Sequence, residues 1–210
     1  MDANHWHERW EKNEIGFHEG EVNHYLDRYF TKLNLQQEGT VFVPLCGKTY
    51  DIHYLLNKGL KVIGAELSEI AISQLFSELS LTPTISKHDQ LKCYSAGNLT
   101  VWVGDIFNVN KSLLTKVDAI YDRAALVALP NEIRENYSQH LIEITGNAPQ
   151  LLAVFEYDHN EMAGPPFSVV ASEIQALYAA HYKVYLLCEE PVAGGLKGQV
   201  SANNVIWYLN

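Results

Sequence analysis

The chain has 210 residues, 47% of them hydrophobic and 19% charged, which is a globular composition rather than a disordered one. Its 15 Lys and Arg stand against 25 Asp and Glu, and the formal net charge of −10 repels a phosphate backbone. With no basic cluster to offset that charge, nucleic acid is not expected as a partner.

The opening segment MDANHWHERWEKNE carries no apolar core of a secretory signal, and no run approaches the ~20 apolar residues of a membrane helix. Cys46, Cys93 and Cys188 form no CxxC and no even framework, so a reduced, cytoplasmic protein is expected. At this length one domain over 1–210 is expected, since α/β units often exceed about 150 residues. Nothing resembles an exposed heptad or a long apolar edge, which points to a monomer.

Trp6 and Trp10 share one face of a helix predicted from about Ala3 to Lys12. A break at Asn13 to Gly20 carries Phe17 in loop context. Tyr25, Leu26, Tyr29, Phe30 and Leu33 then recur at helical spacing over Asn23 to Leu33. These two helices, within 1–35, precede the first strand and are placed to form a lid over its carboxyl end.

From residue 40 onward the pattern alternates. Strands are expected at 41–45, 61–67, 119–122 and 151–157, with helices at 50–57, 69–79, 130–144 and 173–180. Gly97-Asn98 between Leu91–Ala96 and Leu99–Val103 predicts a hairpin. Strands at 184–188 and 204–209 close the chain. The alternation implies a mainly parallel α/β sheet with helices on both faces, and the last two strands imply an antiparallel one at an edge. Ligands of such sheets bind beyond the carboxyl ends of the strands.

Three constellations fall there. Leu45-Cys46-Gly47-Lys48 follows the first strand, and Glu66 ends the second, about 20 residues beyond the glycine. An acid at that distance is placed to accept from ribose hydroxyls; alternatively, Gly47 relieves a turn and Glu66 is a solvated strand end. The loop lacks GxGxxG, so it disfavours a pyrophosphate and suits a nucleoside cofactor without phosphates. Asp105-Ile106 after the hairpin either brackets an adenine or supplies a helix N-cap. Arg123, after Asp122, either pairs with a ligand carboxylate or with a neighbouring acid. Cys46 is read as a small buried filler. The His5/His7 spacing points the rings apart, and no HExxH, CxxC or GxSxG is present, so neither a metal nor a nucleophile site is expected.

Taken together these residues resemble the thiopurine S-methyltransferases of bacteria. The matching segments are Trp6 to His18, Val43 to Lys48, Gly64 to Glu69, Asp122 to Pro130 and Gly164 to Phe167, in order along nearly the whole chain. The resemblance implies a Rossmann-like, seven-stranded sheet with one antiparallel strand near the C-terminus. It implies an enzyme that moves a methyl group from S-adenosylmethionine to the sulfur of thiopurines or other aromatic thiols. Carried over by position, Trp10, Leu45, Glu66 and Arg123 are expected to contact the cofactor, Asp105 and Ile106 its adenine end, and Phe17 the acceptor. No general base is assigned, because an aromatic thiol is partly thiolate at neutral pH. Vertebrate relatives carry a late Arg near the acceptor, where Cys188 to Ser201 offers only Lys197 as a cation; the 194–196 stretch reads as a mobile loop. Selenium or tellurium species are alternative acceptors, and a nicotinamide-dependent oxidoreductase shares the logic of Glu66.

Overall fold

The computed structural model describes residues 3–16 and 18–210. Two compact units divide at Ile120 and Tyr121. The first holds α1 (Ala3–Glu11), α2 (His24–Tyr29), β1 (Thr40–Pro44), α3 (Asp51–Asn57), β2 (Lys61–Glu66), α4 (Glu69–Glu78), β3 (Thr84–His88), β4 (Leu91–Ala96) and β5 (Leu99–Val103). The second holds α5 (Asn131–Thr145), β7 (Gln150–Glu156), α6 (Ala171–Tyr178), β8 (Val184–Pro191) and β9 (Asn203–Leu209). Strand β6 (Ala119–Arg123) straddles the division.

The strand order is β3-β4-β5-β2-β1-β6-β7-β9-β8. Setting aside β3 and β4 leaves the seven strands that the resemblance implies. The two additional strands are an antiparallel ribbon, with Thr84 opposite Ser95, attached antiparallel to β5. Strands β5, β2, β1 and β6 pair in parallel. In the second unit β9 opposes both of its neighbours, β7 and β8. It lies between them, not at the edge as its position at the end of the chain suggests. Pairing on both sides, β9 satisfies two ladders and leaves β8 outermost.

Local sequence accounts for most boundaries. β1 is Thr-Val-Phe-Val-Pro and buried along its whole length, as expected of a strand covered on both faces. The Ser68 hydroxyl accepts the Ala71 amide at 3.3 Å and starts α4. Ala96 pairs with Leu99 across the predicted Gly97-Asn98 turn. The helix expected over Asn23 to Leu33 tightens after Tyr29 into a 3-10 turn, Phe30–Leu33, closed by left-handed Asn34. Pro130 caps α5 from outside its first turn, and Gly146 at φ 67° ends it.

In the first unit Phe42, Ile52, Leu55, Ile72, Leu75 and Phe76 form a core closed to solvent. α2 is seated on α3: the Asn23 amide donates to Asp51 at 2.7 Å, and the Tyr54 hydroxyl donates to Asp27 at 2.8 Å. In the second unit Tyr121, Leu126, Tyr137, Leu141, Leu152 and Tyr178 are buried. The 194–196 stretch forms a tight turn. Leu196 bridges Val200, the Gly195 amide donates to Val192 O at 2.9 Å, and Leu196 and Val200 pack with Tyr157 and Ala202. Among the described residues no helix is long and apolar enough to cross a membrane.

Candidate cofactor site

The turn after β1 is built against the end of β2. Leu45 adopts φ 45° and Gly47 φ 50°, both left-handed, so the chain reverses within a few residues. The Cys46 amide donates to Ala65 O at 3.0 Å, and the Gly47 amide donates to Glu66 Oε2 at 2.8 Å. Glu66 Oε1 accepts the Ser68 amide at 2.8 Å. One carboxylate therefore joins the turn after β1 to the start of α4.

Glu66 is buried, which corrects the reading of it as a solvated strand end. Burial pushes its carboxyl above the ordinary carboxylate range, against the pull of the Ser68, Gly47 and Leu67 amides. A carboxylate offers about four lone-pair sites, more than these amides use. Acceptor capacity thus remains for a hydroxyl donor, which is the chemistry a ribose requires.

α1 carries Trp10 onto this turn. The indole Cζ2 lies 3.0 Å from where a Cβ on Gly47 would stand, and Trp10 is buried. A glycine is needed here for two reasons, the left-handed φ and the indole. Leu45 is half-buried beside it. Cys46 is the buried filler expected: its sulfur lies 2.8 Å from where a Gly64 Cβ would be, and burial pushes its thiol well up. Such a thiol is a poor nucleophile.

Asp105 follows β5 and is exposed, with Oδ1 accepting the Phe107 amide at 3.0 Å. It is the N-cap of a short 3-10 turn, Ile106–Asn108, in keeping with one of its two sequence readings. Ile106 is buried.

In the second unit Arg123 ends β6, half-buried. The preceding Asp122 is fully buried; its oxygens accept the Leu126 amide at 3.1 Å and the Tyr137 hydroxyl at 2.8 Å. Burial raises the Asp122 carboxyl to about 6. Lys197 donates to Pro165 O at 2.7 Å. Phe17, expected at the acceptor, lies outside the described residues.

Two features escaped the sequence reading. Lys48 reaches Glu78, the last residue of α4, at 2.6 Å. Arg134, 2% exposed, donates to Leu129 O, Ser168 O and both oxygens of Glu173, with Phe167 against its guanidinium. A buried strand-end acid such as Asp122 signals that partners exist; nothing local signals Arg134.

The thiopurine S-methyltransferase family model matches residues 1–203. A Teredinibacter turnerae protein named thiopurine S-methyltransferase is 50% identical over 210 residues, covering 100% of this chain and 98% of that one. A Xanthobacter autotrophicus protein of the same name is 48% identical, covering 100% and 99%. Among solved structures, a Burkholderia thailandensis 1,6-didemethyltoxoflavin-N1-methyltransferase with bound S-adenosylhomocysteine superposes with a TM-score of 0.66 at 14% identity, covering 99% of this chain and 87% of that one. An Anabaena variabilis SAM-dependent methyltransferase gives 0.62 at 14%, covering 100% and 96%. The structures establish the fold, and the full-length relatives set the nicotinamide alternative aside. The chain belongs to the thiopurine S-methyltransferase family and is an S-adenosylmethionine-dependent methyltransferase.

Proposed function

We propose that the chain, working as one domain over 1–210 and as a monomer, methylates the sulfur of thiopurines or other aromatic and heterocyclic thiols. Its full-length identity to proteins of that name supports the acceptor class. The observation that carries the cofactor site is Glu66, buried and bonded to the Gly47 and Ser68 amides at the mouth of the turn.

When bound, S-adenosylmethionine supplies a methyl group on a sulfonium that is already an excellent leaving group. Glu66 accepts from the ribose hydroxyls, Leu45 packs against the nucleoside, and Trp10 provides an aromatic wall for the sulfonium region. Asp105 keeps an oxygen for the adenine amino group while Ile106, its side chain buried, contributes through the main chain. Arg123 pairs with the cofactor's carboxylate, and Phe17 covers the acceptor. No general base is assigned, since an aromatic thiol is partly thiolate at neutral pH. The protein's work is orientation for in-line displacement, which can supply several of the ~7–11 kcal/mol available to proximity.

The test is a transfer assay with purified protein, S-adenosylmethionine and a panel of mercaptopurine, thiophenol, selenite and tellurite. Mercaptopurine is expected to become S-methylated with the highest kcat/KM. Turnover of the selenium or tellurium species alone rejects the acceptor class. In parallel, Arg123→Ala is expected to weaken cofactor binding without unfolding; an unchanged Kd rejects the role of Arg123.

A further inference from the structure

In the turn Leu45 to Lys48, Leu45 stands at φ 45°, and a left-handed residue other than glycine persists only where its surroundings hold it. Glu66 holds the turn from inside through the Gly47 amide. On the outer side the Lys48 ammonium reaches Glu78 at 2.6 Å, its side chain only 13% exposed against 41% for Glu78. Glu78 is the last residue of α4, where no basic residue stands. A carboxylate at a helix C-terminus opposes the macrodipole, so its position does not serve the helix. It reaches Lys48 instead.

α4 is braced at its other end too. Glu69, in its first turn, bonds both to Lys92 at 2.7 Å and to the Tyr94 hydroxyl on β4. The helix thus runs from a fixed anchor on β4 to the turn, with Ser68 at its start sharing Glu66 with Gly47.

We infer that the Lys48–Glu78 ion pair is a latch that holds the turn in its cofactor-binding shape, making both positioning residues that act through Gly47 and Leu45. This rests on the reading of that turn as the cofactor edge. An ion pair whose carboxylate is 41% exposed adds little to global stability. Its effect is therefore expected in the local order of the turn, and through it in cofactor affinity.

The experiment uses the full chain and three variants: Glu78→Gln, Lys48→Met, and the exchange Lys48→Glu with Glu78→Lys. Amide hydrogen exchange at Gly47 to Thr49 is read without ligand, and Kd for S-adenosylmethionine and for S-adenosylhomocysteine by calorimetry. Glu78→Gln is expected to quicken exchange in the turn and raise both Kd values about two- to fivefold, with the melting temperature little changed. In turnover, KM for the cofactor rises more than kcat falls. The exchanged pair restores slow exchange and tight binding toward the original values.

Unchanged exchange at Gly47 in Glu78→Gln overturns the latch. So does weak binding in Lys48→Met alongside normal binding in Glu78→Gln, which would mean that Lys48 touches the cofactor directly. Failure of the exchanged pair to recover also overturns it. Should the unmodified chain bind no S-adenosylmethionine, the cofactor reading fails, and the exchange rates still decide the latch.

Discussion

Glu66 accepts the Gly47 amide at 2.8 Å, across 19 positions of sequence, and with its other oxygen accepts the Ser68 amide at the same distance. A carboxylate can accept at both ends, whereas a carboxamide accepts at one and donates at the other. Glu66→Gln should therefore turn an NH2 group toward one of the two amides and leave a buried donor unpaired. The expected loss is about 1–3 kcal/mol of stability, together with weaker cofactor binding. Urea unfolding of the two proteins measures the first and calorimetry the second. Equal stability and equal Kd would show that the carboxylate charge and its second acceptor are dispensable.

Gly47 meets a backbone and a steric constraint at once, and the two can be separated. Gly47→Ala places a side chain at φ 50° and sets its Cβ 3.0 Å from Trp10 Cζ2. The left-handed conformation costs about 1–2 kcal/mol and the crowding about 1–3. Trp10→Phe removes the benzo ring that makes the contact. In the double variant the crowding should vanish while the backbone cost stays, so its loss should be smaller than the two single losses added together. Additivity within about 0.5 kcal/mol, measured by urea unfolding, would show that the indole and the glycine are not coupled.

How much of this was legible follows from sequence distance. The turn at Gly47, the cap at Ser68 and the hairpin at Gly97-Asn98 are written in neighbouring residues, and each stands where its local chemistry puts it. Glu66 was found because a nucleotide-binding turn has a known spacing to its acid, although its burial was not visible. Strand β3 was missed because Thr84 to His88 is exposed along its whole length and shows no burial alternation. The insertion of β9 between β7 and β8 could not be read either, since chain order does not set sheet order. The Lys48–Glu78 pair spans 30 positions, and Arg134 finds its partners 5, 34 and 39 positions away. Such contacts are products of the tertiary fold.

Asp122 gives a prediction in pH. Burial raises its carboxyl from 3.8 to about 6, so the folded chain binds a proton that the unfolded chain has released. The associated stability is fully present below the unfolded value near pH 4 and is lost as pH rises through about 6. The loss amounts to about 3 kcal/mol at 1.36 kcal/mol per unit. The carboxamide introduced by Asp122→Asn does not titrate, keeps a carbonyl for the Leu126 amide, and lets the Tyr137 hydroxyl turn to accept. Across pH 4 to 7 the original protein should lose stability relative to Asp122→Asn. Parallel stability curves would mean that Asp122 has the same affinity for protons folded and unfolded.

Arg134 has the opposite character, a permanent charge closed from solvent whose donors reach Leu129 O, Ser168 O and the Glu173 carboxylate. Removing one partner of a buried ion pair costs about 3–5 kcal/mol, because the other is left uncompensated. Arg134→Met fills similar volume and should lose about that much. Arg134→Lys keeps the charge but lacks the planar fork needed to serve three acceptors, so it should fall between the original and Arg134→Met. Arg134→Met with Glu173→Met leaves no orphaned acid and should recover part of the loss. Urea midpoints at constant slope order the four proteins. If Arg134→Met lay within about 1 kcal/mol of the original, the two carbonyls would be satisfied without the guanidinium and the pair would be incidental to the second unit.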